Sequence, residues 1–108
     1  MSDNHRFVDV LTLRDGKTVE DARAYFDRAC PVIEKHGVKR INFIAIDGKL
    51  RGHEEVNPSI VQTWEFPEDN PFPAIQTDPD YQQLIPLRDS VFDMEHLQGW
   101  FGTEREAH

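Results

Sequence analysis

The sequence predicts an α+β fold of the ferredoxin-like kind: element order β-α-β-β-α-β, one four-stranded antiparallel sheet, and two helices on one face of it. Three observations predict this. Four short segments are rich in β-branched and aromatic residues, and two intervening segments carry helical spacing and caps. The strands also lack a clean alternation of apolar and polar residues, so both faces of the sheet are expected to be buried, the second most simply by another copy of the chain.

Taken in order, "FVDVLTL", 7–13, is β-branched and aliphatic, and the turn "RDGK" ends it. Thr18 then precedes a segment in which Val19, Ala22, Phe26, Ala29, Cys30 and Ile33 recur at helical spacing. Thr18 caps its start, Glu20 and Asp21 suit the positive end of the helix dipole, and Lys35, His36 and Gly37 form its stop. "VKRINFIAI", 38–46, is the second strand, and "DGKLRGHEEVNP" after it is an exposed polar loop. "SIVQTWEF", 59–66, is the third strand, ended by Pro67.

Residues 68–77 stay open between a proline-started helix and no helix, because Pro71 and Pro73 fit a first turn and little else. Asp78 caps the second helix, with Pro79 in its first turn, and Pro86 is expected to kink or break it near Ile85. "EHLQGWFG", 95–102, supplies the fourth strand, and the last residues are expected to fray, leaving an ordered core from about 5 to 102.

With 108 residues the chain has the size of a single domain, 1–108. Such a domain buries only roughly two-thirds of its unfolded surface, so a dimer would add stability. Its 38% hydrophobic and 30% charged residues describe a globular chain with no apolar run of membrane-spanning length. "MSDNHRFVDV" has no basic segment followed by an apolar one, so no secretory signal is expected. One cysteine, Cys30, permits no internal disulfide and fits a reducing compartment; a cytoplasmic location is expected. The net charge of −8 and the scattered basic residues argue against nucleic acid as a partner. RNA-binding domains share the element order, but "SIVQTWEF" lacks their basic, Gly-aromatic strand pattern.

"WEFP", 64–67, and "DPDYQQLIPLR", 78–88, resemble the Glu-Phe-Pro and Ser-Pro-x-Tyr-Gln-x-Leu-x-x-Leu-Arg signature of the family called domain of unknown function 1330, in the dimeric α+β barrel superfamily. Pro31 before Gly37, and "KRINFIAI" directly after, also match the family pattern. The chain departs from it in lacking a glycine pair after Gly37 and in having prolines within 68–77, where relatives carry an Ala-rich helix. The resemblance implies a homodimer whose two sheets face one another. Its superfamily includes cofactor-independent monooxygenases, haem-degrading enzymes, muconolactone-isomerase-like proteins and stress-responsive barrels, so fold alone selects no chemistry.

If the second helix continues past Pro86, Tyr81, Leu84, Ile85, Arg88 and Phe92 share a face, which puts a guanidinium among apolar side chains. Arg88 either holds a ligand carboxylate or enolate, or pairs with Glu65 or Asp89, or lays its stem over apolar surface with its head in water. Tyr81 is either a core aromatic or a ligand-facing phenol. On the sheet, Trp64 and Trp100 share one expected parity with Gln62, Asn42, Asp9 and His96 or Gln98, whereas a one-residue slip brings Thr12, Thr63 and Glu65 forward. A pocket for a small anionic or aromatic metabolite needs an aromatic wall, an amide to orient a carbonyl and a His or carboxylate to move a proton. The binding candidates are therefore Arg88, Trp64, Asn42, Gln62 and Tyr81, and the proton-moving candidates His96, Glu65 and Asp9.

No metal site is expected. "HEEVN" has Asn57 where a His-Glu-x-x-His helix needs its second ligand, and no Cys or His pair has zinc spacing. Cys30, on the apolar helical face without a base, is expected to be a packed thiol. No cofactor is expected either. Two functions follow: a barrel that binds or converts a small molecule, monooxygenase-like or isomerase-like, or a noncatalytic dimeric binding or stress-associated protein in which the same residues form an aromatic interface and its polar rim.

Overall fold

A computed structural model describes residues 4–106. Strands β1 (His5–Leu11), β2 (Lys39–Ala45), β3 (Ile60–Glu65) and β4 (Gln98–Thr103) form one antiparallel sheet in the order β2-β3-β1-β4. Helix α1 (Val19–Glu34) and three short helices, α2 (Phe72–Thr77), α3 (Pro79–Gln82) and α4 (Ile85–Val91), complete the ferredoxin-like arrangement.

Local chemistry explains the helix ends. Thr18 accepts a hydrogen bond from the Asp21 amide while Asp21 Oδ2 accepts from the Thr18 amide at 2.9 Å, a reciprocal cap that fixes the start of α1. The chain leaves α1 through Gly37, whose φ of 86° few other residues adopt. The ambiguous stretch 68–77 is helical from Phe72, with Pro71 as N-cap and Pro73 in the first turn. Asp78 accepts from the Asp80 amide at 2.8 Å and so caps α3; it also meets His36 Nε2 at 2.8 Å and Lys35 Nζ at 3.2 Å. The His36 hydrogen bond, followed by the cap, holds the Asp78 carboxyl down to about 2 and ties the start of α3 to the end of α1.

The expected break falls between Gln82 and Ile85, where the Leu84 amide turns back to the Tyr81 carbonyl. Pro86 thus lies in the first turn of a new helix, where its missing N–H is not needed.

Two strands have bounds other than the sequence suggests. β1 runs from His5 to Leu11; beyond it the Leu13 amide donates to the Ser59 hydroxyl at 3.1 Å and Leu13 bridges Phe92. β4 starts at Gln98 rather than 95, since Asp93 accepts hydrogen bonds from the Glu95 amide and the His96 ring and folds 93–96 into a turn.

The helices cover one sheet face. Phe7, Asp9 and Leu11 of β1 and Ile60, Gln62 and Trp64 of β3 point into it and meet Ala22, Tyr25, Phe26 and Ala29 of α1 and Val91 of α4. The opposite face carries Val8, Val10, Val61, Ile44 and Trp100, and no helix among the described residues covers it; Ile44 is 51% and Trp100 53% exposed. No helix among the described residues is long and apolar enough to cross a membrane.

Candidate functional site

A cavity of about 270 Å³ lies between the helix-covered sheet face and the helices. Its walls are largely aromatic: Phe7 and Trp64 from the sheet, Tyr25 and Phe26 from α1, Phe72 from α2, and Phe92 after α4. The polar groups in it are few and convergent, namely Asp9, Tyr25, Gln76, Tyr81 and Arg88.

Asp9 is 8% exposed and pairs across β1 and β3 with Gln62, which is fully buried. Gln62 Nε2 donates to Asp9 Oδ2 at 2.8 Å, and the Trp64 side chain also donates to the carboxyl. Burial outweighs both hydrogen bonds and raises the Asp9 carboxyl from 3.8 to about 6. Arg88 Nη1 donates to the Tyr81 hydroxyl at 2.9 Å, its Nε meets Asp89 Oδ1 at 3.1 Å, and its guanidinium carbon stands 5.9 Å from the Tyr81 ring centroid. The Tyr25 hydroxyl bonds to that of Tyr81, and burial pushes it far above the usual phenol range, so Tyr25 stays neutral. A carboxyl that exchanges its proton near neutrality thus shares an apolar cavity with a permanent cation and two phenols, which suits holding an oxyanion beside a proton acceptor.

Of the residues the sequence singled out, the structure brings together Asp9, Gln62, Trp64, Tyr81 and Arg88. It separates Asn42, Glu65 and His96 from them. Asn42 is displaced by a bulge at Ile41: Arg40 pairs with Trp64 but Asn42 pairs with Thr63, so Asn42 lies on the uncovered face and accepts from the Thr63 hydroxyl at 3.0 Å. Glu65 lies on that face as well, in register with Arg6 and Lys39, and Arg88 reaches Asp89 instead of it. The shared parity expected of Trp100 and Gln98 fails too, because β4 sets Gly99 opposite Asp9 and Trp100 opposite Val8.

His96 occupies the 93–96 turn, exposed, with Nδ1 2.8 Å from Asp93 Oδ2; that bond raises the imidazole and lowers the carboxyl. It faces a separate hollow with Val10, Glu55 and Gln98.

Tyr25 escaped the sequence reading although Ala22, Tyr25, Phe26 and Ala29 form a regular helical stripe that would have shown it. Cys30 is half-buried, and burial raises its thiol. Among the described residues no three His, Cys, Asp or Glu side chains gather as metal ligands.

The family model described as Domain of unknown function (DUF1330) matches residues 8–97, most of the chain. The chain belongs to this family. Solved structures place the DUF1330 chain among ferredoxin-like neighbours. RPA0582, a protein of unknown function from Rhodopseudomonas palustris, aligns with a TM-score of 0.78 at 18% identity, over 98% of this chain and 86% of its own. SnoaB, a cofactor-independent oxygenase from Streptomyces nogalater, aligns with a TM-score of 0.62 at 10% identity, over 98% and 97%. A dimeric ferredoxin-like protein of unknown function from Thermobifida fusca aligns with a TM-score of 0.63 at 14% identity, over 93% and 90%. Identities this low show a common fold and nothing about chemistry. No curated protein matches this DUF1330 chain.

Proposed function

We propose that this protein binds a small aromatic or enolic anion in the cavity between its sheet and its helices and moves a proton on it, as a homodimer and without a metal. The observation that carries the reading is the buried Asp9 carboxyl, raised to about 6, in an aromatic cavity that also holds Arg88. At neutral pH a carboxylate of that kind accepts a proton from an enol, a phenol or an activated carbon, because it is poised close to the pH at which it works. Arg88 and the Tyr81 and Tyr25 hydroxyls would hold the oxygen on which negative charge develops, and the aromatic walls would keep water from it. Proton removal of this sort begins both a tautomerisation and the reaction of an electron-rich anion with dioxygen. The cofactor-independent oxygenase among the structural neighbours supports the second course by fold-level analogy alone.

The apolar face that the helices leave uncovered supports the homodimer, as does the dimeric neighbour. A cytoplasmic location fits a chain with one half-buried thiol, Cys30.

Calorimetric titration with 1-hydroxy-2-naphthoate, a flat anion with a phenol beside its carboxylate, tests the reading. Binding is expected for the wild type and a loss of about ten-fold to a hundred-fold for Arg88→Ala, the range of a hydrogen bond to a charged group. Equal affinity in the two proteins, or no binding of any aromatic anion in such a series, would sink the proposal. Tight binding with no turnover under air across that series would instead assign a binding protein.

A further inference from the structure

We propose that Arg40 is a positioning residue for Asp9, acting through the side-chain amide of Gln62: it dictates which end of that amide faces Asp9 and so keeps a hydrogen-bond donor on the carboxylate. The inference rests on reading Asp9 as the proton-handling group of the cavity. Its effect on Asp9 can nevertheless be measured with no substrate present.

Arg40 enters the helix-covered face only because β2 bulges after it. The register sets Arg40 opposite Trp64, and the shift between Arg40 and Asn42 then turns Asn42 away. Once inside, the guanidinium packs over aromatic rings, its central carbon 5.0 Å from the centroid of Phe43, 5.5 Å from Phe26 and 5.8 Å from Trp64. None of the ion pairs among the described residues includes it. Its side-chain hydrogen bond runs to an amide: Arg40 Nη1 donates to Gln62 Oε1 at 3.4 Å.

An amide has two ends that differ in role, and a buried glutamine with no constraint could present either to a neighbour. A guanidinium removes the choice. It has donors and no acceptor, so it takes the oxygen, and the amide nitrogen is left to face Asp9, where Nε2 and Oδ2 stand 2.8 Å apart. That donated bond favours the ionised carboxylate and opposes the burial that raises Asp9. With Arg40 gone, Gln62 can turn its oxygen to Asp9; that arrangement is favourable only when Asp9 is protonated, and the carboxyl should then hold its proton to higher pH.

The other groups around Asp9 do not provide this control. β3 contributes the Trp64 donor, α1 contributes Tyr25, which stays neutral and lies within electrostatic reach of Asp9, Tyr81 and Arg88, and β4 sets Gly99 opposite Asp9.

The test is the titration of the Asp9 side-chain carbon followed by NMR in full-length protein. The wild-type midpoint is expected at about 6. Arg40→Met, which keeps the apolar stem, should raise it by roughly one pH unit, and Arg40→Lys, again a donor without an acceptor, should restore most of the difference. In a Gln62→Leu background the midpoint should already be raised, and adding Arg40→Met should move it no further. An unchanged midpoint in folded Arg40→Met overturns the proposal. So does an Arg40→Met shift that persists without Gln62, because the charge would then act directly. Should Arg40→Met fail to fold, the wild type decides: the Gln62 amide protons must follow the ionisation of Asp9 with the same midpoint, and their indifference to it overturns the proposal. A correct Asp9 titration with no aromatic anion bound would leave this inference standing and defeat the proposed function.

Discussion

Arg88 and Tyr81 lie on opposite sides of the break at Leu84, seven residues apart, and Arg88 Nη1 donates to the Tyr81 hydroxyl at 2.9 Å. The break lets a residue of α3 and one of α4 converge on the same cavity, with Tyr25 of α1 joined to the pair through Tyr81. Tyr81→Phe removes the shared oxygen and keeps the ring. It should cost about 0.5–1.5 kcal/mol in denaturant unfolding, the net worth of an ordinary hydrogen bond, and weaken 1-hydroxy-2-naphthoate binding less than Arg88→Ala does. A Tyr81→Phe protein that bound the probe more weakly than Arg88→Ala would mean that the phenol, not the guanidinium, is the main anion contact.

Pro86 gives a prediction whose sign separates two pictures. A proline forced into the middle of one helix costs roughly 3 kcal/mol, so replacing it with alanine would stabilise the protein by a similar amount. Pro86 instead stands exposed in the first turn of α4, where it removes no helical hydrogen bond. Pro86→Ala should therefore destabilise, by about 0.4–1 kcal/mol, because alanine only adds freedom to the unfolded chain. Urea midpoints of the two proteins, at equal slope, measure the sign directly.

Asp9 makes stability depend on pH. Its carboxyl releases a proton at the ordinary 3.8 when unfolded and at about 6 when folded, so between those values the folded state binds more protons and stability falls as pH rises. The full loss, complete above about pH 6, amounts to about 3 kcal/mol. Asp9→Asn keeps an acceptor for Gln62 and removes the charge. The variant should lack this slope and be more stable than wild type at pH 8 by up to about 3 kcal/mol, while losing any proton transfer that Asp9 performs. Thermal or denaturant unfolding from pH 4 to 8 checks it, and parallel profiles for the two proteins would show that burial does not strain the ionised Asp9.

What could be read without coordinates was whatever neighbouring residues decide among themselves. The Thr18–Asp21 cap, the Gly37 stop, the Asp78 cap and the break beside Pro86 each depend on a few adjacent side chains, and so does the strand and helix order. The site was only half legible, because it depends on which way each strand faces. One bulge at Ile41 exchanged Asn42 for Arg40 at the cavity side, and the β1–β4 register sets Gly99, not Trp100, opposite Asp9. Both shifts are set by pairing between strands distant in sequence. The uncovered apolar face was legible for the opposite reason: Val8, Val10 and Val61 alternate with inward residues within short segments.

Gly99 is the residue that lets Phe7 line the cavity. A Cβ on Gly99 would stand 2.6 Å from Phe7 Cζ and 2.9 Å from Cε1, and the ring is already held by Phe72 and Phe101 at centroid distances of 4.8 and 5.6 Å. Gly99→Ala must push the ring into the cavity or against those neighbours. It should destabilise by about 1–3 kcal/mol and weaken binding of an aromatic probe, with Phe7→Leu in the same background recovering part of the stability. If Gly99→Ala is as stable as wild type, Phe7 has room to rotate and the cavity wall is softer than its ring contacts suggest.

The uncovered sheet face supplies the last test. Val10 stands on this face, opposite Val61 on β3 and Gln98 on β4, with Val8, Ile44 and Trp100 beside it. In the proposed dimer a twofold axis brings two copies of this face together, so a charge at Val10 would be buried twice in an apolar contact. Val10→Glu should yield a monomer by light scattering at concentrations where the wild type is a dimer. The glutamate would point away from Asp9, Gln62 and Arg88, so the monomer, if folded, keeps the cavity walls of its own chain. Its affinity for 1-hydroxy-2-naphthoate then separates two roles for the partner. Unchanged affinity means that each cavity is complete within one chain, and a loss with the fold intact means that dimerisation holds the sheet in the shape the cavity requires.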